Sequence, residues 1–352
     1  MFIIALMMSF SEKILLWYAT HKRDLPWRKT TDPYKIWLSE IMLQQTRVAQ
    51  GMPYYFSFVK HFPKVENLAA ASEEQVLKLW QGLGYYSRAR NLHATAKIVT
   101  EQYNGQFPST YKELIKLKGV GDYTASAIAS FCFNQPEPVV DGNVYRVLSR
   151  YFGVDIPINT PKGISYFKEL AQQIKSTDNI RDYNQGIMEF GAIQCTPKNP
   201  NCISCPLQDS CVALKDNIVD TLPVKIKKTK IKNRFFNYVV CVDEDEKVQL
   251  QKREGKGIWQ NMFEFPLIES EKEISAAEFQ KKLPEVMDHL VGEEVILYNK
   301  EPIVHKLSHQ HLHTKFWIVH SNHLHNNGIA WSKIEEYPVP VLLADFIKAF
   351  KI

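Results

Sequence analysis

The sequence predicts a mainly α N-terminal region joined to a smaller α+β C-terminal domain, and three observations carry that reading. A length of 352 residues exceeds one typical core and calls for two domains. From Phe10 to about Val212 the apolar residues recur at helical spacing, as in Leu68, Ala69, Val76, Leu77, Leu79 and Trp80, and again in Leu92, Ala96, Ile98 and Val99. After Cys211 the texture changes to short runs rich in Val, Phe, Tyr and Trp.

The opening run Met1–Phe10 is apolar but has no basic segment before it and no cleavage site after it, so Met7 or Met8 is an alternative start. No stretch reaches membrane-spanning length, and a cytoplasmic protein is expected. Within the helical region, His61-Phe62-Pro63, Asn104-Gly105-Gln106 and Gln135-Pro136 mark breaks. One apolar helix is expected from Ile36 to Val48. Residues 1–215 form the expected helical domain and 216–233 a linker. Lys225, Lys227, Lys228, Lys230, Lys232 and Arg234 make that stretch basic, as suits either solvent or a phosphate backbone. Residues 234–352 form the second domain. Its strands are expected at Phe235–Val242, Lys247–Lys252 and Lys315–His320, with a helix from Ser275 to Leu290 that Ser275 caps and Pro284 interrupts.

A hydrophobic content of 45% and a charged content of 23% are those of an ordinary globular protein. The net charge of +5 suits a polyanionic partner without requiring one. Of the six cysteines, four fall within 17 residues as C-x6-C-x2-C-x5-C: Cys195, Cys202, Cys205 and Cys211. Four thiolates so placed suit a [4Fe–4S] cluster or a tetrahedral zinc, and local spacing does not choose between them. Cys132 and Cys241 lie elsewhere and read as buried apolar thiols.

Leu117-Lys118-Gly119-Val120-Gly121-Asp122-Tyr123-Thr124-Ala125 sits between two helical stretches. Gly119 and Gly121 permit a tight turn, and the next helix start offers free N–H groups to a phosphate. Such a turn suits the DNA backbone without reading sequence, and by itself it reads equally as an ordinary helix–turn–helix junction. Val139-Val140-Asp141-Gly142-Asn143-Val144-Tyr145-Arg146 follows, where Asp141 has the ordinary place of a helix N-cap.

Taken together, the hairpin (about residues 114–130), the Val-Asp-Gly-Asn-Val-Tyr-Arg-Val run and the cysteine loop resemble the helix-hairpin-helix glycosylases of the endonuclease III superfamily. In that family this cysteine spacing holds a [4Fe–4S] cluster, and Asp141 matches its essential aspartate. Lyase members carry a lysine two residues after the second hairpin glycine. Here that residue is Tyr123, and a phenol cannot form the Schiff base that a lyase needs. Asp24-Leu25-Pro26-Trp27-Arg28, the run from Ser39 through Glu40 and Gln45 to Val48, and Gly82-Leu83-Gly84-Tyr85-Tyr86-Ser87-Arg88 are similar to the adenine DNA glycosylase signature.

That resemblance implies a base-excision-repair enzyme that removes adenine opposite 8-oxoguanine or guanine in double-stranded DNA, acting as a monomer on nucleoid DNA. Glu40 matches the general acid that protonates adenine N7. Its place in an apolar helix would raise its pKa accordingly. Asp141 matches the stabiliser of the oxocarbenium ion, and its place at a helix start favours its anionic form. Tyr123 and Asn143 match residues that support the two acids. Leu25 and Trp27 match the walls of the pocket for the flipped base. Arg28 and Glu189 match readers of its polar edges, and Gln45 and Tyr86 match the groups that wedge into the gap beside the mispair.

The C-terminal strands and Gly257-Ile258-Trp259-Gln260-Asn261-Met262-Phe263-Glu264-Phe265-Pro266 look like a Nudix fold. The acidic helix with a glutamate pair is absent, so pyrophosphate hydrolysis is not expected. The resemblance makes this domain the reader of 8-oxoguanine through a Phe-Ser-His turn, which here is Leu307-Ser308-His309. The polar pair Ser308 and His309 is kept and the aromatic is lost. His309, His311 and His313 alternate along one expected strand face, as histidines beside a nucleic-acid groove or as metal ligands. Two other readings compete with adenine excision: an endonuclease III-like lyase, and a non-catalytic iron–sulfur DNA-binding protein. The latter leaves Glu40 and Asp141 without a task.

Overall fold

A computed structural model describes residues 9–226, 231–290, 293–322, 324 and 328–352. The alternative start at Met7 or Met8 and the linker lysines Lys227, Lys228 and Lys230 lie outside the described residues. Two compact units form, one from residues 1–69 and 94–227 and the other from residues 70–93 and 228–352. The second unit thus includes an excursion from the helical half of the sequence.

The helices of the N-terminal half are α1 (Phe10–His21), α2 (Pro33–Met42), α3 (Val48–His61), α4 (Val65–Ala70), α5 (Glu73–Trp80), α6 (Ser87–Tyr103), α7 (Tyr111–Leu114), α8 (Asp122–Phe133), α9 (Gly142–Phe152), α10 (Pro161–Ile174), α11 (Ile180–Glu189) and α12 (Val212–Lys215). In the first unit, α1 packs on α11, α2 on α8, and α9 on α11 and α12. One core joins Ile14, Trp17, Val147, Leu148, Phe167, Ile187 and Phe190, and a smaller one joins Ile36, Ala127, Phe131 and Val139. The expected helix from Ile36 to Val48 is in fact two helices. α2 ends at Met42, and Leu43–Arg47 turn sharply, with Gln45 at φ +55°, before α3 begins. Ile41, Met42 and Leu43 before the turn and Val48 after it carry the apolar spacing across it, so periodicity alone did not reveal it.

The second unit is built on a sheet of β1 (Lys232–Asp243), β2 (Lys247–Val248), β5 (Leu267–Ser270), β6 (Val295–Leu297), β7 (Ile303–Lys306), β8 (Gln310–Ser321) and β9 (Ile329–Ala330), while β3 (Gln251–Lys252) and β4 (Phe263–Glu264) form a separate pair. β1 and β8 run parallel in register from Lys232↔Gln310 to Asp243↔Ser321, buried on both faces. On one face α13 (Ala276–Lys282) stacks Phe279 on Trp317 at 4.4 Å, and on the other α14 (Val341–Ala349) stacks Phe346 on Phe316 at 3.9 Å. Ser275 caps α13 in a reciprocal capping box with Glu278, and a 3-10 turn at Leu283–Glu285 contains Pro284, as expected. The expected strand Lys247–Lys252 is split between two sheets: β2 pairs with β1 and β9, and β3 with β4.

Candidate active site

The first unit contains a cavity of about 940 Å³, within the usual range for a ligand site, and Glu40, Tyr123, Asp141 and Asn143 all line it. Glu40 projects from α2 and is 7% exposed. The Tyr123 hydroxyl donates to Glu40 Oε2 at 2.6 Å. Burial pushes the Glu40 carboxyl up to about 7, helped by the negative charge of Asp141 and opposed by the Tyr123 hydrogen bond and Arg28. Burial and Glu40 together hold the Tyr123 phenol neutral.

Asp141 does two jobs. It caps α9, its Oδ1 accepting from the Asn143 N–H at 2.9 Å and the Val144 N–H at 2.8 Å, while Oδ2 accepts from Asn143 Nδ2 at 2.8 Å. The helix start was expected to favour its anion. Burial outweighs that and raises its pKa, against the hydrogen bonds and Arg146. Arg146 in turn donates to Asn143 Oδ1 at 2.9 Å and to the Cys195 carbonyl at 2.8 Å, tying the support of Asp141 to the start of the cysteine loop.

Leu25, Trp27, Arg28, Gln45 and Glu189 also line the cavity. Trp27 lies in the turn Pro26–Arg28 with its ring edge-on to Tyr55 at 5.2 Å. Glu189, the expected reader of a base edge, lines the cavity and is held by arginines. Its two oxygens accept the Arg23 N–H and Nε at 2.9 and 2.7 Å and the terminal nitrogens of Arg23 and Arg28 at 2.6 and 2.8 Å. These four donors hold the carboxylate in place, and through it Glu189 orients Arg28. Burial alone would raise Glu189, but these donors hold it at about 2. Sequence reasoning missed Arg23, although a buried glutamate needs a cation and Arg23 immediately precedes the motif that holds Leu25.

The four cysteines line one small pocket together with Val147, Phe190 and Leu207. Among the described residues no three His, Cys, Asp or Glu side chains converge as a single ion requires. Arg150 braces the loop through the Thr196 and Pro197 carbonyls at 2.7 and 3.2 Å. A π-helical turn at Phe190–Gln194 carries the chain from Glu189 to Cys195.

Comparison with known proteins decides the family. Residues 38–189 match the HhH-GPD superfamily of base excision DNA repair proteins, 195–211 the iron–sulfur binding domain of endonuclease III, and 237–349 the NUDIX domain. The adenine DNA glycosylase of Buchnera aphidicola subsp. Schizaphis graminum is 39% identical over 78% of this chain and 78% of its own length. That of Buchnera aphidicola subsp. Baizongia pistaciae is 36% identical over 88% and 86%. The chain belongs to the adenine DNA glycosylases. A solved thermostable thymine-DNA glycosylase is 32% identical with a TM-score of 0.55, covering 59% of this chain and 95% of that one. A non-covalent endonuclease III–DNA complex shares the fold at 22% identity and a TM-score of 0.52, covering 59% and 94%.

As an adenine DNA glycosylase, the chain is a base-excision-repair enzyme that acts on DNA, carries a [4Fe–4S] cluster and ends in a Nudix-like domain. In the hairpin, Gly119 adopts φ +76°, and a Cβ at Gly121 would meet open space. In the second unit the turn Leu307–His309 joins β7 to β8, and Ser308 and His309 are exposed. His313 stacks on Phe235 at 4.8 Å. The wedge assignment of Tyr86 is corrected: its ring is 6% exposed and its hydroxyl accepts from the Gly82 N–H at 3.2 Å. Tyr85, at φ +48° and 47% exposed, is the presented ring, and its hydroxyl lies 2.6 Å from Ser308 Oγ.

Proposed function

We propose that this glycosylase removes adenine opposite 8-oxoguanine or guanine in duplex DNA, as a monomer and without a lyase step. The observation that carries the reading is Glu40, buried with its carboxyl near 7 in the cavity that Asp141 also lines. Tyr123 holds Oε2 and leaves Oε1 to act on the substrate. Glu40 gives its proton to adenine N7 as the C1′–N9 bond breaks, and the bonding pair leaves with the purine. Asp141 faces the positive charge left on the sugar, and Glu40, now ionised, takes a proton from the water that adds to C1′. Two carboxyls in different surroundings divide the work: one buried and protonated, the other held by three hydrogen bonds.

The hairpin amides take a DNA phosphate, and Gln45 and Tyr85 fill the gap left when adenine flips out. Ser308 and His309 contact the opposite base. The cluster is a structural hub for the Cys195–Cys211 loop, since hydrolysis transfers no electrons. Tyr123, a phenol in place of an amine, gives no Schiff base.

The test is single-turnover adenine release from duplexes carrying adenine opposite 8-oxoguanine, guanine or thymine. Fast release, slower release and none, in that order, is the expected result. Release independent of the opposite base would refute the lesion-reading assignment, and a borohydride-stable DNA adduct would restore the lyase.

A further inference from the structure

The hairpin presents an acid where a polyanion is expected. Asp122 is the first residue of α8, whose first turn no side chain caps, and half of its side chain is exposed. An aspartate there complements the helix dipole but repels a phosphate approaching the same N–H groups. A second helix answers it. The Lys168 ammonium of α10 pairs with the Asp122 carboxylate and donates to the Tyr111 hydroxyl at 3.3 Å, while lying 4.8 Å from the Tyr111 ring centre. The Tyr111 hydroxyl itself donates to Asp122 Oδ1 at 2.5 Å. Three helices, α7, α8 and α10, therefore converge on one carboxylate, each supplying a member of the group.

We propose that Lys168 is a positioning residue for DNA: it neutralises Asp122 and so keeps the hairpin usable by a phosphate, without touching the phosphate itself. This rests on the hairpin reading given above. Loss of Lys168 then harms binding by unmasking Asp122, and removal of the acid restores it. An ordinary phosphate-contacting lysine behaves differently, because its loss is not repaired by neutralising a neighbour.

The probe is a fluorescein-labelled, fully paired duplex, since backbone contacts are independent of sequence, and the readout is anisotropy across a salt series. Lys168→Met is expected to weaken binding about tenfold, and Asp122→Asn to bind at least as tightly as the unchanged chain. The double variant is expected to return to within about twofold of Asp122→Asn. Thermal melts show that each variant is folded, and Tyr111→Phe, which keeps the ion pair, is expected to retain affinity. A double variant as weak as Lys168→Met, or full affinity in Lys168→Met, overturns the proposal. Gly121→Ala, whose methyl points into open space, separates the two failures. If it binds as tightly as the unchanged chain, the hairpin is not the phosphate site and both readings fall. If it binds weakly while the double variant stays weak, only the role of Lys168 falls.

Discussion

At the residue scale, the proposed mechanism makes one buried carboxyl govern both rate and stability. Glu40 must be protonated to serve as an acid, so single-turnover excision should decline as pH rises through about 7. Glu40→Gln should slow base release by about 10²–10⁴-fold with DNA affinity retained, and the pH–rate profile should lose that step. The same shift acts on folding. A carboxyl whose pKa is raised in the folded state adds stability below its unfolded value of 4.5, and that stability is lost as pH rises through about 7. Glu40→Gln should therefore raise Tm at pH 8 and leave it nearly unchanged at pH 5, which paired thermal melts will show. Glu189 works in the opposite sense. Its depressed pKa contributes stability above pH 4.5 that is lost as pH falls toward 2. Arg23→Ala removes two of its four hydrogen bonds and leaves the backbone N–H of residue 23 and Arg28 in place, so a loss of about 1–3 kcal/mol is expected, with weaker substrate capture. Denaturant titration and the concentration dependence of excision measure the two effects.

At the element scale, the residue that caps α9 is, on the proposed mechanism, also part of the chemistry. Asparagine caps a helix as well as aspartate does, because the side-chain oxygen still accepts the same N–H groups. Asp141→Asn should therefore hold Tm within a degree or two and still cut base release by about 10²-fold or more. If Tm and activity fell together, the capping role would account for Asp141 by itself. The turn between α2 and α3 and the turn before α6 make a related point. Gln45 and Tyr85 both adopt positive φ, and that backbone twist decides which of two adjacent side chains is presented. In the pair Tyr85-Tyr86 the sequence offers two identical candidates, and only the folded backbone turns one outward and the other in.

At the scale of the whole molecule, the second unit takes in residues 70–93, far from the rest of it in sequence. Lys78 donates to the Tyr337 carbonyl at 3.3 Å, Arg90 to the Gln260 carbonyl at 3.0 Å and Asn261 Nδ2 to Glu73, while Lys252 pairs with Glu74. A chain cut after residue 226 loses these contacts. Its Tm should fall by about 2–4 °C for each kcal/mol lost, as calorimetry will record. A cut at the same place that left Tm unchanged would show that residues 70–93 need no support from the C-terminal strands.

The sequence by itself determined the class of both domains and the clustering of the four cysteines, because helix periodicity, capping and thiol clustering are local properties of a chain. Its resemblance to the adenine glycosylases proposed the acids Glu40 and Asp141 and the tyrosine in the lyase lysine's place. Tertiary structure decided what depends on residues far apart in sequence. Arg23 meets Glu189 across 166 positions and fixes its carboxylate. Tyr85 meets Ser308 across 223 positions, while Lys168 covers Asp122 from another helix. Charge neutralisation and burial are set by what the fold brings alongside a group, and a linear pattern carries no record of that neighbour until the chain has closed on itself.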